Sequence, residues 1–228
     1  MFLVLDYETN ILYASHMALF QRRPSVGDNL PLYTVGQHQS VLLVGLGNMG
    51  KTYAKTRHNV GFAAVEAFAA AHNADQWIDK KDLKCRLATC MVGSVKVYVI
   101  EPLTMMNLSG IAAQKTAHFY KIPTEKVIVV HDELDVDFGT IRTRTGGGSA
   151  GHNGIKSVTE HLGEQYGRIR IGIGPKTPVS IDSADFVLAK FSKDEDAQMK
   201  ALTTETTAII TECIAGGVVP NDTRSFTL

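Results

Sequence analysis

The chain has few cysteines, no excess of either charge and no long apolar run. Each shortage excludes something. Cys85, Cys90 and Cys213 form no metal-ligand spacing and leave one thiol over in any disulfide scheme, so the sequence reads as that of an intracellular, reducing compartment and not of a disulfide-stapled secreted protein. No apolar stretch approaches the roughly 18 residues that suggest a membrane span, so a membrane partner is not expected. Equal numbers of basic and acidic side chains, 23 of each, remove any global signature of nucleic-acid binding. The distribution of charge says more. Residues 138–176 carry Arg142, Arg144, Lys156, Arg168, Arg170 and Lys176 against only Glu160 and Glu164, and the tail beyond is acidic. A locally basic face on a neutral protein is compatible with a phosphate-bearing partner.

At 228 residues the chain is long enough for one substantial core. Residues 1–40 differ from the rest. Their opening apolar run is cut by Asp6 and Glu8, which makes a poor signal peptide, and residues 21–33 have no clear period. They read as a disordered or loosely docked extension. Alternatively, the stretch starting at Met17, with Arg22 and Arg23, has the basic look of an organelle-targeting leader. The sequence therefore predicts an N-terminal extension, 1–40, and one domain, 41–228, in the cytoplasm or, if translation starts near Met17, in an organelle.

From residue 41 strands and helices alternate. Strands are expected at 41–46, 86–92, 95–100, 127–130, 140–145 and 168–173, with Gly93-Ser94 turning a hairpin. Helices are expected at 60–72, 109–120, 152–162 and 194–214, the last weakened by its threonines. This is an α/β pattern: a single domain with a mixed twisted sheet covered by helices.

Gly45, Gly47 and Gly50 follow the first strand with the G-x-G-x-x-G spacing of a dinucleotide-binding turn. That reading requires a helix directly after the third glycine and then a second strand ending in an acidic residue. Residues 51–59 have no apolar helical face, and the helix from Val60 occupies the place of the second strand. The glycines call for another explanation.

Polar clusters stand at the ends of the expected elements: Asn48, His58-Asn59, Asn107, His131-Asp132 and His152-Asn153. Open α/β sheets place their sites beyond the carboxyl ends of strands, and Asn48 and Asp132 both follow strands. A carboxylate aimed at one nitrogen of His58 would fix its tautomer and leave the other free to take a proton, and Asp132 is the best partner for it. Asn107 and Asn153 each have two readings, a helix cap or an amide donor to a carbonyl oxygen. The loop 146–151 could hold phosphate on its backbone N–H groups or serve as a connector; it lacks the Gly-Lys-Ser/Thr of a Walker loop. The acidic run 131–137 could bind a metal, although no ligand spacing supports this and a metal-free site is expected.

Taken together, Gly-Leu-Gly-Asn (45–48), Tyr53, Thr-Arg-His-Asn (56–59), Met-Asn-Leu-Ser-Gly (106–110), His-Asp-Glu-Leu-Asp (131–135), Gly-His-Asn-Gly (151–154) and Arg-Ile-Arg-Ile-Gly-Ile-Gly (168–174) resemble bacterial-type peptidyl-tRNA hydrolases, in the family's order. The resemblance implies cleavage of the ester joining a peptide to the 3′ ribose of tRNA, by a monomer without metal or other cofactor. It implies that His58 is the base activating water, with Asp132 orienting it. Asn48 and Asn107 would hold the substrate, Asn107 would stabilise the oxyanion, and Asn153 and Tyr53 would contact substrate. Arg142 and Arg144, with Lys156, Arg168 and Arg170 as further candidates, would meet tRNA phosphate. A non-hydrolytic RNA-binding relative is the alternative. The chain departs from the family in having Met49 where proline is usual, Met105 where an aromatic is usual, and the N-terminal extension.

Overall fold

The computed structural model describes residues 39–225; the expectations for the first 38 residues lie outside it. Eight strands form one sheet: β1 (Ser40–Gly45), β2 (Ile78–Lys80), β3 (Cys85–Val92), β4 (Val95–Pro102), β5 (Val127–Asp137), β6 (Thr140–Thr145), β7 (Gly167–Gly174) and β8 (Asp222–Ser225). Their order is β2-β3-β4-β1-β5-β7-β6-β8. The central β4, β1, β5 and β7 run parallel, and antiparallel strands flank them on both sides. Among the described residues the α-helices are α1 (Val60–Ala71), α2 (Ser109–Phe119), α3 (Asn153–Leu162), α4 (Ser183–Leu188) and α5 (Lys193–Gly216). Among the described residues, no helix is long and apolar enough to cross a membrane.

β1 is buried on both faces because helices cover both. Alternate side chains point oppositely. Leu43 joins Val97, Val99 and Val130 beneath α1 and α5, while Leu42 and Val44 join Val127 and Val129 beneath α2 and α3. The threonines of α5 do not break it. Thr206, Thr207 and Thr211 return their hydroxyls to the carbonyl four residues back, each at 2.8 Å. A Ser192–Glu195 capping box starts the helix.

The strand expected at 127–130 is longer. It runs to Asp137 and pairs with β7 through Glu133, where the register shifts. Asp132 therefore sits within a strand and not after one. The apolar run ends at Val130 because polar side chains are buried from His131 onward, which is itself a mark of the site. β2, α4 and β8, all short, were not expected.

Candidate functional site

Gly45, which ends β1, and Gly47 serve close packing, whereas Gly50 takes a positive φ of 110° with open space where a Cβ would stand. A Cβ on Gly45 would lie 2.5 Å from Val65 and 2.7 Å from the Gly61 carbonyl, and one on Gly47 would strike the Phe62 ring at 2.7 Å. On Gly61 a Cβ would come within 2.5 Å of the Leu46 and Val130 carbonyls. The first turn of α1 thus lies directly on the ends of β1 and β5. That contact carries His58, in the 3₁₀ turn Arg57–Asn59, to the sheet rim. Arg57 anchors the turn from behind. It pairs with Glu195 at 2.6 Å, donates to the Lys190 carbonyl, and lies over the Phe186 ring at 4.4 Å.

Asn48 is pinned on three sides. Its N–H donates to Asn59 Oδ1 and its carbonyl accepts from Asn59 Nδ2, both at 2.9 Å, so the Asn59 amide imitates a strand partner. Asn48 Oδ1 accepts from the Met106 N–H at 2.7 Å. The oxygen being taken, Nδ2 is left as the donor facing the cleft. These bonds hold Asn48 in a turn that has Met49 where proline is usual.

Asp132 Oδ1 receives two imidazoles, His58 Nδ1 at 2.8 Å and His152 Nε2 at 3.0 Å. The tautomer of His152 follows from its surroundings. As N-cap of α3 it accepts at Nδ1 from Gly154 N–H (3.0 Å) and Ile155 N–H (3.3 Å), so Nε2 carries the hydrogen given to Asp132. Burial alone would raise the Asp132 pKa, but the two imidazoles outweigh it and hold the carboxyl well below the usual carboxylate range. The carboxylate is charged and fully oriented. His58 donates at Nδ1 and keeps Nε2 for chemistry.

These groups open on a cleft of about 650 Å³. Asn48, His58, Asp132, His152, Asn107 and Asn153 give it a polar wall, while Met105, Leu134, Val187 and Leu188 give it an apolar one. Asn107 is not a cap. Leu108 takes the N-cap position of α2, and the Asn107 amide stands exposed at the cleft. Asn153 is the exposed first residue of α3. A second cavity, about 230 Å³ between α5 and the β6–β8 pair, holds no comparable cluster.

His58, Asp132 and His152 lie close enough to share an ion. The N-terminus of α3 argues against it, because a His152 Nε2 that carries hydrogen has no lone pair for a metal.

The basic residues separate. Arg142 pairs across strands with Arg170 and Arg144 with Arg168, which sets four guanidinium groups on one face of β6 and β7. Arg142 and Lys156 are exposed, and Arg144 is half-buried against Gly147. Arg170 lies 3.6 Å from Glu133. Arg168 corrects the sequence reading. It is 1% exposed and its guanidinium is spent on protein acceptors, so it offers nothing to a phosphate. Tyr53 stands apart from the other expected site residues. It does not line the cleft, and its carbonyl closes the turn before His58 by accepting from Thr56 N–H (3.1 Å) and Oγ1 (2.8 Å). The sequence marks His152 and Asn59 only as neighbours of Asn153 and His58; the signal available for the first is a His at the end of a glycine-rich loop, directly ahead of a helix.

The peptidyl-tRNA hydrolase family model matches residues 42–227. The chain belongs to the peptidyl-tRNA hydrolase family. It is 45% identical to the peptidyl-tRNA hydrolase of Rickettsia prowazekii over 156 residues, covering 68% of this chain and 83% of that one. Against the Clostridium acetobutylicum peptidyl-tRNA hydrolase identity is 40% over 186 residues, with 81% and 96% covered. The crystal structure of the peptidyl-tRNA hydrolase from Acinetobacter baumannii superposes with a TM-score of 0.71 at 34% identity, covering 80% and 93%. The matched segment contains every residue of the cleft wall just described.

Proposed function

We propose that this chain hydrolyses the ester between a peptide and the 3′ ribose of tRNA, with His58 as the base. The observation that carries the reading is a buried, charged Asp132 holding His58 by Nδ1 while Nε2 faces a cleft edged by three asparagine amides. Water attacks the ester carbonyl carbon as His58 Nε2 takes its proton, and the carbonyl π electrons move to oxygen. Asn107, an exposed amide with no competing cap role, donates to that oxyanion. Asn48 Nδ2 and Asn153 hold the substrate beside it. Collapse breaks the bond to the ribose oxygen, which leaves with the proton held on His58. Asp132 stays ionised and stabilises the imidazolium between the two transfers. A ribose hydroxyl is a better leaving group than an amine, so one base and preorganised donors suffice.

The tRNA backbone would lie along Arg142, Arg144 and Arg170, with Lys156 beside them; Arg168 has no part in this contact. Arg142→Glu is expected to raise KM severalfold and to flatten the salt dependence of binding by roughly 0.7–0.9 in log–log slope, the loss of about one phosphate contact. Titration of tRNA binding across ionic strength measures it, and an unchanged slope would take Arg142 out of the interface.

The activity itself is tested with purified protein and an N-blocked aminoacyl-tRNA. Release of the blocked amino acid is expected in the presence of a chelator, without added metal. Tight tRNA binding with no release would favour the RNA-binding alternative, and activity restored only by a divalent ion would replace the metal-free mechanism.

A further inference from the structure

Four of the six residues 146–151, between β6 and α3, are glycines, and Gly146, Gly147 and Gly151 have φ of 64°, 92° and 81°. Glycine gives up more backbone freedom on ordering than any other residue. Such a segment has almost no side chains with which to hold itself. Yet it must climb from the end of β6 to the sheet rim and set His152 within 3.0 Å of Asp132. The restraint comes from beneath. The Nη1 of Arg168 donates to the carbonyls of Gly148 (2.7 Å), Gly147 (3.1 Å) and Gly146 (3.5 Å).

The other edge of the same guanidinium meets His131 Nε2, with Nη2 at 3.1 Å and Nε at 3.3 Å. A guanidinium has only donors, so His131 Nε2 accepts and its hydrogen resides on Nδ1. Nδ1 in turn donates to the backbone carbonyl of Asp132 at 2.6 Å. Burial, with His152 and Arg168 nearby, holds His131 well below the ordinary histidine range, consistent with a neutral ring. A closed frame results. One arm runs from the Asp132 peptide through His131 and Arg168 to the glycine carbonyls, and the other returns through His152 to the Asp132 carboxylate.

We propose that Arg168 and His131 are positioning residues for the hydrolysis: they strap the Gly146–Gly148 segment to β5 and so fix His152 and Asn153 against Asp132. The proposal rests on the hydrolytic reading above. Displacement of a positioned group by about 1 Å can cost about 10²-fold in rate, which is the scale at stake when a glycine loop loses its anchor.

Arg168→Lys keeps the charge and loses the planar fork. Its kcat on N-blocked aminoacyl-tRNA is expected to fall about 10–100-fold, while KM and the salt dependence of tRNA binding stay within about twofold. Amide exchange is expected to quicken at residues 146–153 and to remain slow in β1 and β4. His131→Gln can set its amide oxygen toward Arg168 but has no N–H at the position of Nδ1, so the bond to the Asp132 carbonyl is lost. It should show the same pattern more weakly, and it carries the test if Arg168→Lys does not fold. Three results would overturn the proposal: wild-type kcat in the folded variants, a raised KM with a flattened salt response at unchanged kcat, or exchange that quickens evenly through the sheet. If the wild-type protein released nothing from the substrate, the hydrolytic reading would fall instead, and the exchange pattern would still decide whether Arg168 holds the loop.

Discussion

His58→Ala is expected to lower kcat by about 10²–10⁴-fold while leaving the affinity for tRNA within about twofold. The size follows from what is removed. Nε2 of His58 is the free basic nitrogen at the centre of the polar wall, because the Nδ1 edge is committed to Asp132 and both His152 nitrogens are in use. Affinity should survive because the guanidinium face lies on β6 and β7, away from the turn that carries His58 in the chain. The fold should survive too. The turn carrying His58 is anchored by Arg57, and α1 is seated by Gly61, neither of which touches the imidazole. Single-turnover release of the blocked amino acid, paired with a tRNA filter-binding titration, measures both quantities. Turnover near the wild-type rate would sink the mechanism, since among the described residues the cleft holds no second histidine with an open nitrogen.

Asp132→Asn should cost kcat nearly as much, about 10²–10⁴-fold, with little change in KM. Both imidazoles donate to the same oxygen. His152 cannot change tautomer without giving up the Gly154 and Ile155 N–H groups, so the substituted amide must turn its oxygen toward the pair. Geometry is then kept and charge is lost. The imidazolium formed after proton abstraction has no anion beside it, and a tenfold rate loss corresponds to about 1.4 kcal/mol of that lost stabilisation. Comparing kcat with KM separates this from damage to binding. A variant retaining wild-type kcat would show that orientation alone, without the carboxylate charge, is enough.

Much of this was legible in the residues themselves. The strand and helix pattern followed from local periodicity, which depends on neighbours a few positions apart. The same holds for the helix from Val60 that ruled out a dinucleotide turn. The family motifs named His58, Asp132, Asn48, Asn107 and Asn153, and the fold sets all of them around one cleft. Local pattern failed where burial and polarity part company. β5 was read as ending at Val130 because His131, Asp132 and Glu133 look like loop residues, although all three are buried in the strand.

What the sequence by itself determined is the order of the longer elements, the α/β class and the types of side chain available for chemistry, since propensity, periodicity and motif are local properties of the chain. Tertiary structure alone decided how those side chains are spent. Arg168 looked like one more cation in a basic stretch and proves to be a buried strap on glycine carbonyls. His152 looked like a neighbour of Asn153 and completes the pair on Asp132. Gly45 and Gly47 had the spacing of a phosphate loop and are contact points for a helix. The reason is the same in each case. His58 and Asp132 are 74 positions apart, and whether a charged group meets solvent or a protein acceptor is set by strand register and by how closely a helix can approach the sheet, neither of which is written in any short window of residues.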